Sequence, residues 1–504
     1  MQYLVGVDVS TTAVKAILID ARGSVIGSAS TPLSLSIPQP GWSEQDPADW
    51  WNATVTSIRA LLERSSVPSE NIAALGLTGQ MHGAVFLDTR GEIIRPAILW
   101  NDARTASQCA EIVDLIGEER LRKITGNPAL VGFQAPKILW LKEHEPENFA
   151  KVWHILLPKD YIRYRLSGEF ATDASDAAGT LLLDLAQRDW SDEILSRLAI
   201  PREWLPDVYE GPDVTGHVTA EMARLTGLPP GTPLVAGAGD NAAAAIGSGV
   251  VQEGTGLLSL GTSGVIFVPT DMPRIDPTGT LHAFCHAIPG AYHLMGVILS
   301  AGGSLRWARD VLSGHGPNEA ELDDYDAFIE PVTHIPPGAG GLFFLPYLAG
   351  ERTPHMDPTA RGAWIGLSLA HRQEHMVRAV LEGVAFALRD AWERMKMLGI
   401  APPTLRIVGG GAKSAAWREI IAAVLDVPLQ RLATDEGAAF GAAILAGVGA
   451  GIYDDVQSAA AQTVELLAEQ EELNPSLVEE YSALYRKYKL LYPALKQTGV
   501  WDEA

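Results

Sequence analysis

The sequence predicts an α/β fold built from two similar halves, on three observations. Tyr3–Val9 and Val14–Asp20 are apolar, β-branched runs joined by Ser10-Thr11-Thr12, a unit of strand, hydroxyl-rich turn and strand. The unit is echoed at Leu257–Leu260 and Val265–Val268 around Gly261-Thr262-Ser263-Gly264. Amphipathic helices alternate with the strands, as in Pro47–Arg64, where Trp50, Val55, Ile58, Leu61 and Leu62 share one stripe.

The remaining elements follow in order. A turn at Ala21-Arg22-Gly23 leads to a third strand near Val25-Ile26, and Asn71–Leu77 is a short buried strand ending at Thr78-Gly79-Gln80-Met81-His82-Gly83. The second start comes with a strand at Pro233–Ala236, a tight loop at Gly237-Ala238-Gly239-Asp240 and a small helix at Asn241–Ile246. Leu405–Val408 is a strand, followed by Gly409-Gly410-Gly411 and a helix at Ala415–Leu425. The boundary between halves falls near 245–255, giving residues 1–248 and 249–504. In the tail, Asn474–Lys496 reads as one packing helix, with Leu477, Tyr481, Leu484, Tyr485, Tyr488 and Leu491 at helical spacing.

Composition excludes several classes. The 504 residues are 47% hydrophobic and 20% charged, enough to bury large cores. A net charge of −23 with no Lys/Arg cluster repels nucleic acid and anionic membranes. An anionic ligand must then be held by local amides, a metal and a few cations. Two cysteines, Cys109 and Cys285, fit a reducing cytosol and no disulfide framework. Met1–Gly6 lacks a basic segment and soon meets Asp8, so no signal peptide is expected. Gly437–Tyr453 is uncharged but shorter than the ~20 residues of a membrane span, and its Ala and Gly read as closely packed helix.

Asp8 ends the first strand and is followed by Ser10, Thr11, Thr12 and Lys15. Such a turn exposes consecutive amides that bind phosphate oxygens, and a carboxylate beside it can hold hydrated Mg²⁺. The alternative is an ordinary hairpin with Asp8 solvated; Gly261-Thr262-Ser263-Gly264 has the same two readings, and the pair favours phosphate. Asp240 is either a helix N-cap or a general base for an alcohol. Gly409-Gly410-Gly411 lets backbone approach a ligand, yet Ser414 spoils a dinucleotide fingerprint and Ala412 before Lys413-Ser414 spoils a Walker A loop. His371-Arg372-Gln373-Glu374-His375 matches H-x-x-E-H without a third ligand, and opens a helix over His375–Arg389.

Together these residues resemble the FGGY carbohydrate kinases over nearly the whole chain. Gly6-Val7-Asp8-Val9-Ser10-Thr11-Thr12 and Ser259-Leu260-Gly261-Thr262-Ser263-Gly264 are similar to the family's two phosphate turns. Phe133–Trp140 and Gly362–Leu367, continuing to Glu382, are similar to its two signatures. Gly409–Ser414 with Glu436–Gly441 resembles its adenosine site. The resemblance implies two actin/Hsp70-like (ribonuclease H-like) domains flanking a catalytic cleft, sugar mainly on residues 1–248 and nucleotide mainly on 249–504.

Gln80-Met81-His82-Gly83 resembles the branch acting on D-xylulose, where glycerol kinases carry Arg-Glu for Met81-His82. Trp100-Asn101-Asp102-Ala103-Arg104, Gly239-Asp240-Asn241 and the run from Pro346 to Pro354 agree with that branch. The implied activity is ATP-dependent phosphorylation of D-xylulose; the alternatives are another ketose or polyol, or a non-catalytic ATP-binding protein of the same superfold. The resemblance makes Asp240 the base, Asp8 and Asp240 the Mg²⁺ carboxylates, and Met81, His82, Asp240 and Asn241 the sugar contacts. It assigns ATP to Ser10, Thr11, Thr12, Lys15, Gly261, Thr262, Ser263, Gly409, Gly410, Gly411, Ala412 and Ser414. It also suggests a cytoplasmic homodimer. Ser10 departs from the family's usual Gly and adds a side chain beside the phosphates. His82 has a second reading as a purely structural histidine.

Overall fold

Apolar residues along Tyr3–Val9 (β1), Ala13–Asp20 (β2) and Val25–Pro32 (β3) form an antiparallel meander in the computed structural model, which describes residues 2–314 and 325–501. Ile72–Gly79 (β4) joins β1 in parallel. Val214–His217 (β5), Pro233–Val235 (β6) and Ala238–Gly239 (β7) complete a seven-stranded sheet ordered β5-β6-β4-β1-β2-β3, with β7 paired to β4. Helix α1, Pro47–Ser65, begins with Pro47 in its first turn and the Asp46 carboxylate capping the Ala48 N–H. Its buried Trp50, Ile58 and Leu61 pack over β2 and β3.

The second sheet also has seven strands. They are Leu257–Leu260 (β8), Gly264–Thr270 (β9), His282–Cys285 (β10), Tyr292–Ile298 (β11), Leu405–Val408 (β12), Leu429–Leu432 (β13) and Leu466–Glu471 (β14). Their order is β10-β11-β9-β8-β12-β13-β14. In each sheet the first strand lies antiparallel to its successor on one side and parallel to a later strand on the other. The echo between residues 4–19 and 257–268 is therefore a structural repeat of two domains.

Further helices surround or join the sheets, among them Asp240–Gly247 (α2), Gly302–Ser313 (α3), Gln373–Met397 (α4), Ala415–Leu425 (α5), Ala438–Gly449 (α6) and Pro475–Tyr488 (α7). Helix α6, encoded between β13 and β14 of the second sheet, packs against β1, β4 and α2. A Cβ on Gly6 or Gly76 would collide with the carbonyl oxygens of Ala439 and Ala442, and one on Gly441 with that of Ala243. Only glycine lets these backbones approach so closely. The uncharged segment is thus a helix wedged between elements, and among the described residues no helix is long and apolar enough to cross a membrane.

Two expectations are corrected. The tail is two helices, α7 and Leu491–Gln497 (α8), broken at Lys489-Leu490. Pro493 supplies the reason, because it has no N–H for the Lys489 carbonyl and its ring would crowd that group in a continuous helix. Tyr481, Tyr485 and Tyr488 of α7 are buried; the Arg378 guanidinium donates to the Tyr481 hydroxyl at 2.8 Å, which donates to Glu382 at 3.0 Å. The helix expected over His375–Arg389 extends to Gln373–Met397. His375 accepts the Arg372 N–H at 3.3 Å, and no group of three or more metal-ligating side chains occurs among the described residues.

Gly6→Ala should lower unfolding free energy by roughly 2–3 kcal/mol through overpacking against α6, measured by urea denaturation. Wild-type stability would show that α6 can retreat without cost.

Candidate active site

Ligands of open α/β sheets bind beyond the carboxyl ends of the parallel strands. Here β1, β4 and β7 end together: Asp8 is in register with Thr78, and Ala238 and Gly239 with Thr78 and Gly79. Gly237, at φ +81°, permits β7 to turn onto β4, since a Cβ there would strike the Leu77 carbonyl. Asp240 follows as the first residue of α2. The N-cap is Gly239, so Asp240 is not the cap; its Oδ1 accepts the Asn241 N–H at 2.7 Å and the Asn241 side-chain amide at 2.8 Å.

Asp8 and Asp240 lie close enough to resist joint ionisation. Burial, then Asp240, pushes the Asp8 carboxyl up to about 7 against the pull of Lys15. Burial pushes Asp240 up to about 6, opposed by the Asn241 hydrogen bonds. Asp8 Oδ1 and Thr78 Oγ1 are buried without hydrogen-bond partners. Bare, buried oxygens beside a second carboxylate suit a hydrated divalent cation that also takes phosphate oxygens.

The first hydroxyl-rich turn is held by its own side chains. Ser10 Oγ donates to the Ala13 carbonyl at 2.8 Å, so the added side chain folds into the turn. Thr11 Oγ1 donates to Gln80 at 3.0 Å and accepts the Trp100 indole N–H at 3.0 Å. Thr12 is exposed, and among the described residues the Thr11 and Thr12 N–H groups donate to no protein acceptor. Lys15 pairs with Glu436 just before α6 at 2.6 Å, linking the two halves.

In the second sheet, the Gly261-Thr262-Ser263 turn receives the start of α3. Ala301 and Gly303 donate to the Thr262 carbonyl at 2.8 and 3.0 Å, and Gly302 to that of Gly261 at 2.8 Å. The Thr262 and Ser263 N–H groups have no protein acceptor among the described residues. Beyond β12, Gly409 has φ +91° and donates to Asp435 at 2.8 Å, while Gly410 is exposed. Ala412 is buried and Ser414 caps α5 by accepting the Trp417 N–H at 3.3 Å, so both side chains are engaged within the protein.

Met81 is buried between Gly179 and Gly239. His82 adopts φ +71°, a costly conformation for a non-glycine residue, and two contacts hold it. The Lys137 ammonium donates to its carbonyl at 2.8 Å, and its Nδ1 donates to the Gly179 carbonyl at 2.6 Å. Burial, with Lys137 and Arg352 nearby, holds the imidazole well below its ordinary range. A neutral ring with Nδ1 so engaged leaves Nε2 as an acceptor for a hydroxyl. Phe133 meets the ring edge-on at 4.8 Å.

Sequence reasoning quoted Trp100, Gln80 and Lys137 within motifs but gave them no role, and missed Ser175. The Ser175 hydroxyl donates to Asp173 Oδ2 at 2.5 Å and accepts the Gly239 N–H at 3.1 Å, tying the residue before Asp240 to a buried charge cluster. There, Lys159 Nζ lies 2.6, 2.8 and 3.4 Å from Asp160, Asp173 and Asp176, and Arg163 lies 2.5 Å from Asp160. Burial opposes the Lys159 charge, but the three carboxylates raise its pKa above the ordinary lysine value.

Two repeated domains with amide-rich turns at their strand ends, and a carboxylate pair at the strand ends of the first, define a sugar kinase fold. The FGGY family of carbohydrate kinases matches in both parts, its N-terminal domain over residues 3–247 and its C-terminal domain over 256–450. The chain belongs to that family and is a carbohydrate kinase. It is 44% identical over 447 residues to the xylulose kinase of Escherichia coli K12, covering 88% of this chain and 90% of the relative. It is 39% identical to that of Bacillus subtilis 168, covering 98% of each. The crystal structure of xylulose kinase from Rhodospirillum rubrum superposes with a TM-score of 0.90 at 33% identity, covering 99% of each chain.

Lys159→Met should leave three buried carboxylates short of one cation and cost about 3–5 kcal/mol, read as a lower denaturation midpoint. An unchanged midpoint would mean that the cluster is protonated and dispensable.

Proposed function

We propose that the enzyme transfers the γ-phosphoryl group of ATP to the 5-hydroxyl of D-xylulose, with Asp240 as general base. The carrying observation is Asp240 at the mouth of the first sheet, beside Asp8 and the Met81–His82 pocket, with a carboxyl raised to about 6. A base is best poised near working pH, ionised yet still basic. Asp240 takes the hydroxyl proton, the oxygen attacks the γ-phosphorus, and the bond to the bridging oxygen breaks, leaving ADP with that electron pair. The amides of Thr11, Thr12, Thr262 and Ser263, which donate to no protein acceptor among the described residues, would donate to phosphate oxygens as charge builds.

Asp8 and Asp240 would hold Mg²⁺, which supplies charge neutralisation when bound; the unpartnered Asp8 oxygen supports this. His82 Nε2 and Asn241 would accept from and donate to sugar hydroxyls. Sugar then rests mainly on residues 1–248 and nucleotide on 249–504, with Gly409–Gly411 beside the adenosine. Closure of the domains on sugar would complete the site and limit hydrolysis by water. Dependence on ATP and the unpaired thiols of Cys109 and Cys285 support a cytoplasmic location.

Coupled ADP release with Mg·ATP against D-xylulose, other ketopentoses, polyols and no sugar tests the reading. A tenfold preference for D-xylulose is expected; a higher rate with another sugar would reassign the pocket. Asp240→Asn should reduce kcat at least 10³-fold with ATP binding intact, near the upper range for a lost general base. Weakened ATP binding with retained turnover would overturn the assignment. The base works ionised, so kcat/KM for the ketose should fall tenfold per pH unit on an acid limb with an apparent pKa no higher than about 6; a flat profile from pH 7 to 4.5 would exclude Asp240. His82→Ala should raise ketose KM more than ATP KM, and equal effects would argue for a structural role.

A further inference from the structure

The run from Pro346 to Pro354 agrees with the ketose branch in sequence but has no part in the chemistry above. Within it stand two adjacent ionisable residues, Glu351 and Arg352, that feel each other's charge but form no ion pair. The Glu351 carboxylate is buried and is met by backbone: the Leu299 N–H donates to it at 2.9 Å and the Arg352 N–H at 2.8 Å. Among the described residues, the Arg352 guanidinium has no hydrogen-bond or ion-pair partner. It lies over the Trp100 indole, 5.9 Å from ring centre to guanidinium carbon.

The segment carrying Arg352 is sewn to the second sheet. Thr353 N donates to the Val297 carbonyl at 3.0 Å, and the Thr353 hydroxyl to the Thr280 carbonyl at 2.8 Å. What the guanidinium faces belongs chiefly to the first domain. Trp100 stands under it, and a Cβ on Gly132 would come within 3.5 Å of its Nη2. His82, Lys137 and the second-sheet His282 all feel its charge. Asp8 responds instead to burial, Asp240 and Lys15, and Asp240 to burial and its Asn241 hydrogen bonds. Arg352 thus sits beside Trp100 and within electrostatic reach of His82, and its charge is not among those acting on Asp8 or Asp240. Arg352 is half-buried, and its unpartnered planar fork stays open to a ligand that brings acceptor oxygens.

We propose that Arg352 is a specificity-determining residue, whose guanidinium donates to the oxygens at the end of the ketose opposite the phosphorylated hydroxyl and so ties the second domain to sugar carried on the first. This rests on the ketose-kinase reading. The C1 hydroxyl and C2 carbonyl are the oxygens at that end. A bidentate contact of this kind rewards a ketose over a short polyol, and it forms across the cleft.

Steady-state kinetics of the full-length enzyme and of R352A, R352Q and R352K, each checked by thermal melting, test the proposal. The substrates are D-xylulose and 1-deoxy-D-xylulose, the same sugar without its C1 hydroxyl. For R352A and R352Q the KM for D-xylulose should rise at least tenfold while the KM for ATP stays within twofold. The rise should be smaller for the deoxy sugar, which has already lost one acceptor, and R352K should recover part of the loss. The proposal falls if the D-xylulose KM stays within twofold of wild type, if the ATP KM rises equally, or if both sugars suffer the same factor. A wild-type enzyme that turns over no ketose would overturn the ketose reading and this proposal together; wild-type turnover with indifferent variants would overturn this proposal alone.

Discussion

Where α6 crosses β1 and β4, the carbonyl oxygens of Ala439 and Ala442 rest on Gly6 and Gly76 and leave no room for a side chain. This seat determines how a helix encoded in the second half comes to cover the first sheet. Helix α6 also meets α2, which begins at Asp240, through Gly441 and Gly247. Three elements that aim at the cleft, β1 with Asp8, β4 with the Met81–His82 turn and α2 with Asp240, are thereby packed on one helix. Small residues at these crossings exchange side-chain burial for close backbone contact, and the position of the carboxylates depends on it.

Around that frame, buried charge sets the chemistry. Two carboxylates are kept from full ionisation at the strand ends, while histidines in the neighbouring aromatic cluster are kept neutral. His282 is pushed down to about 3 by burial and by Arg352, and His286 to about 3 by burial, with Arg188 also acting against its charge. The Lys159 cluster behind Ser175 works differently, with charge compensated by charge where water is excluded.

Much of this arrangement is legible in the sequence because it is local. A strand, a hydroxyl turn and a strand are neighbours in the chain, so the repeat at residues 4–19 and 257–268 can be read directly. Asp240 was ambiguous between cap and base because both place Asp before a helix; only the position of Gly239 as N-cap separates them. The Ser175–Gly239 bridge and the unpaired state of Arg352 are invisible to sequence, since each is defined by residues far away in the chain. The break at Lys489-Leu490 was available in Pro493, whose effect falls four residues upstream, but the continuous tyrosine spacing masked it.

The hydroxyls of Ser10 and Thr11 are spent inside the protein, and Lys15 is occupied by Glu436. On the proposed reading, what remains there for a triphosphate is mainly peptide dipoles, which carry no net charge. A molecule of net charge −23 therefore offers its anionic substrate little long-range attraction. Encounter is retarded by repulsion and capture is accomplished only at contact. Added salt, which slows most enzymes that gather phosphates with surface cations, should here quicken nucleotide arrival by screening that repulsion.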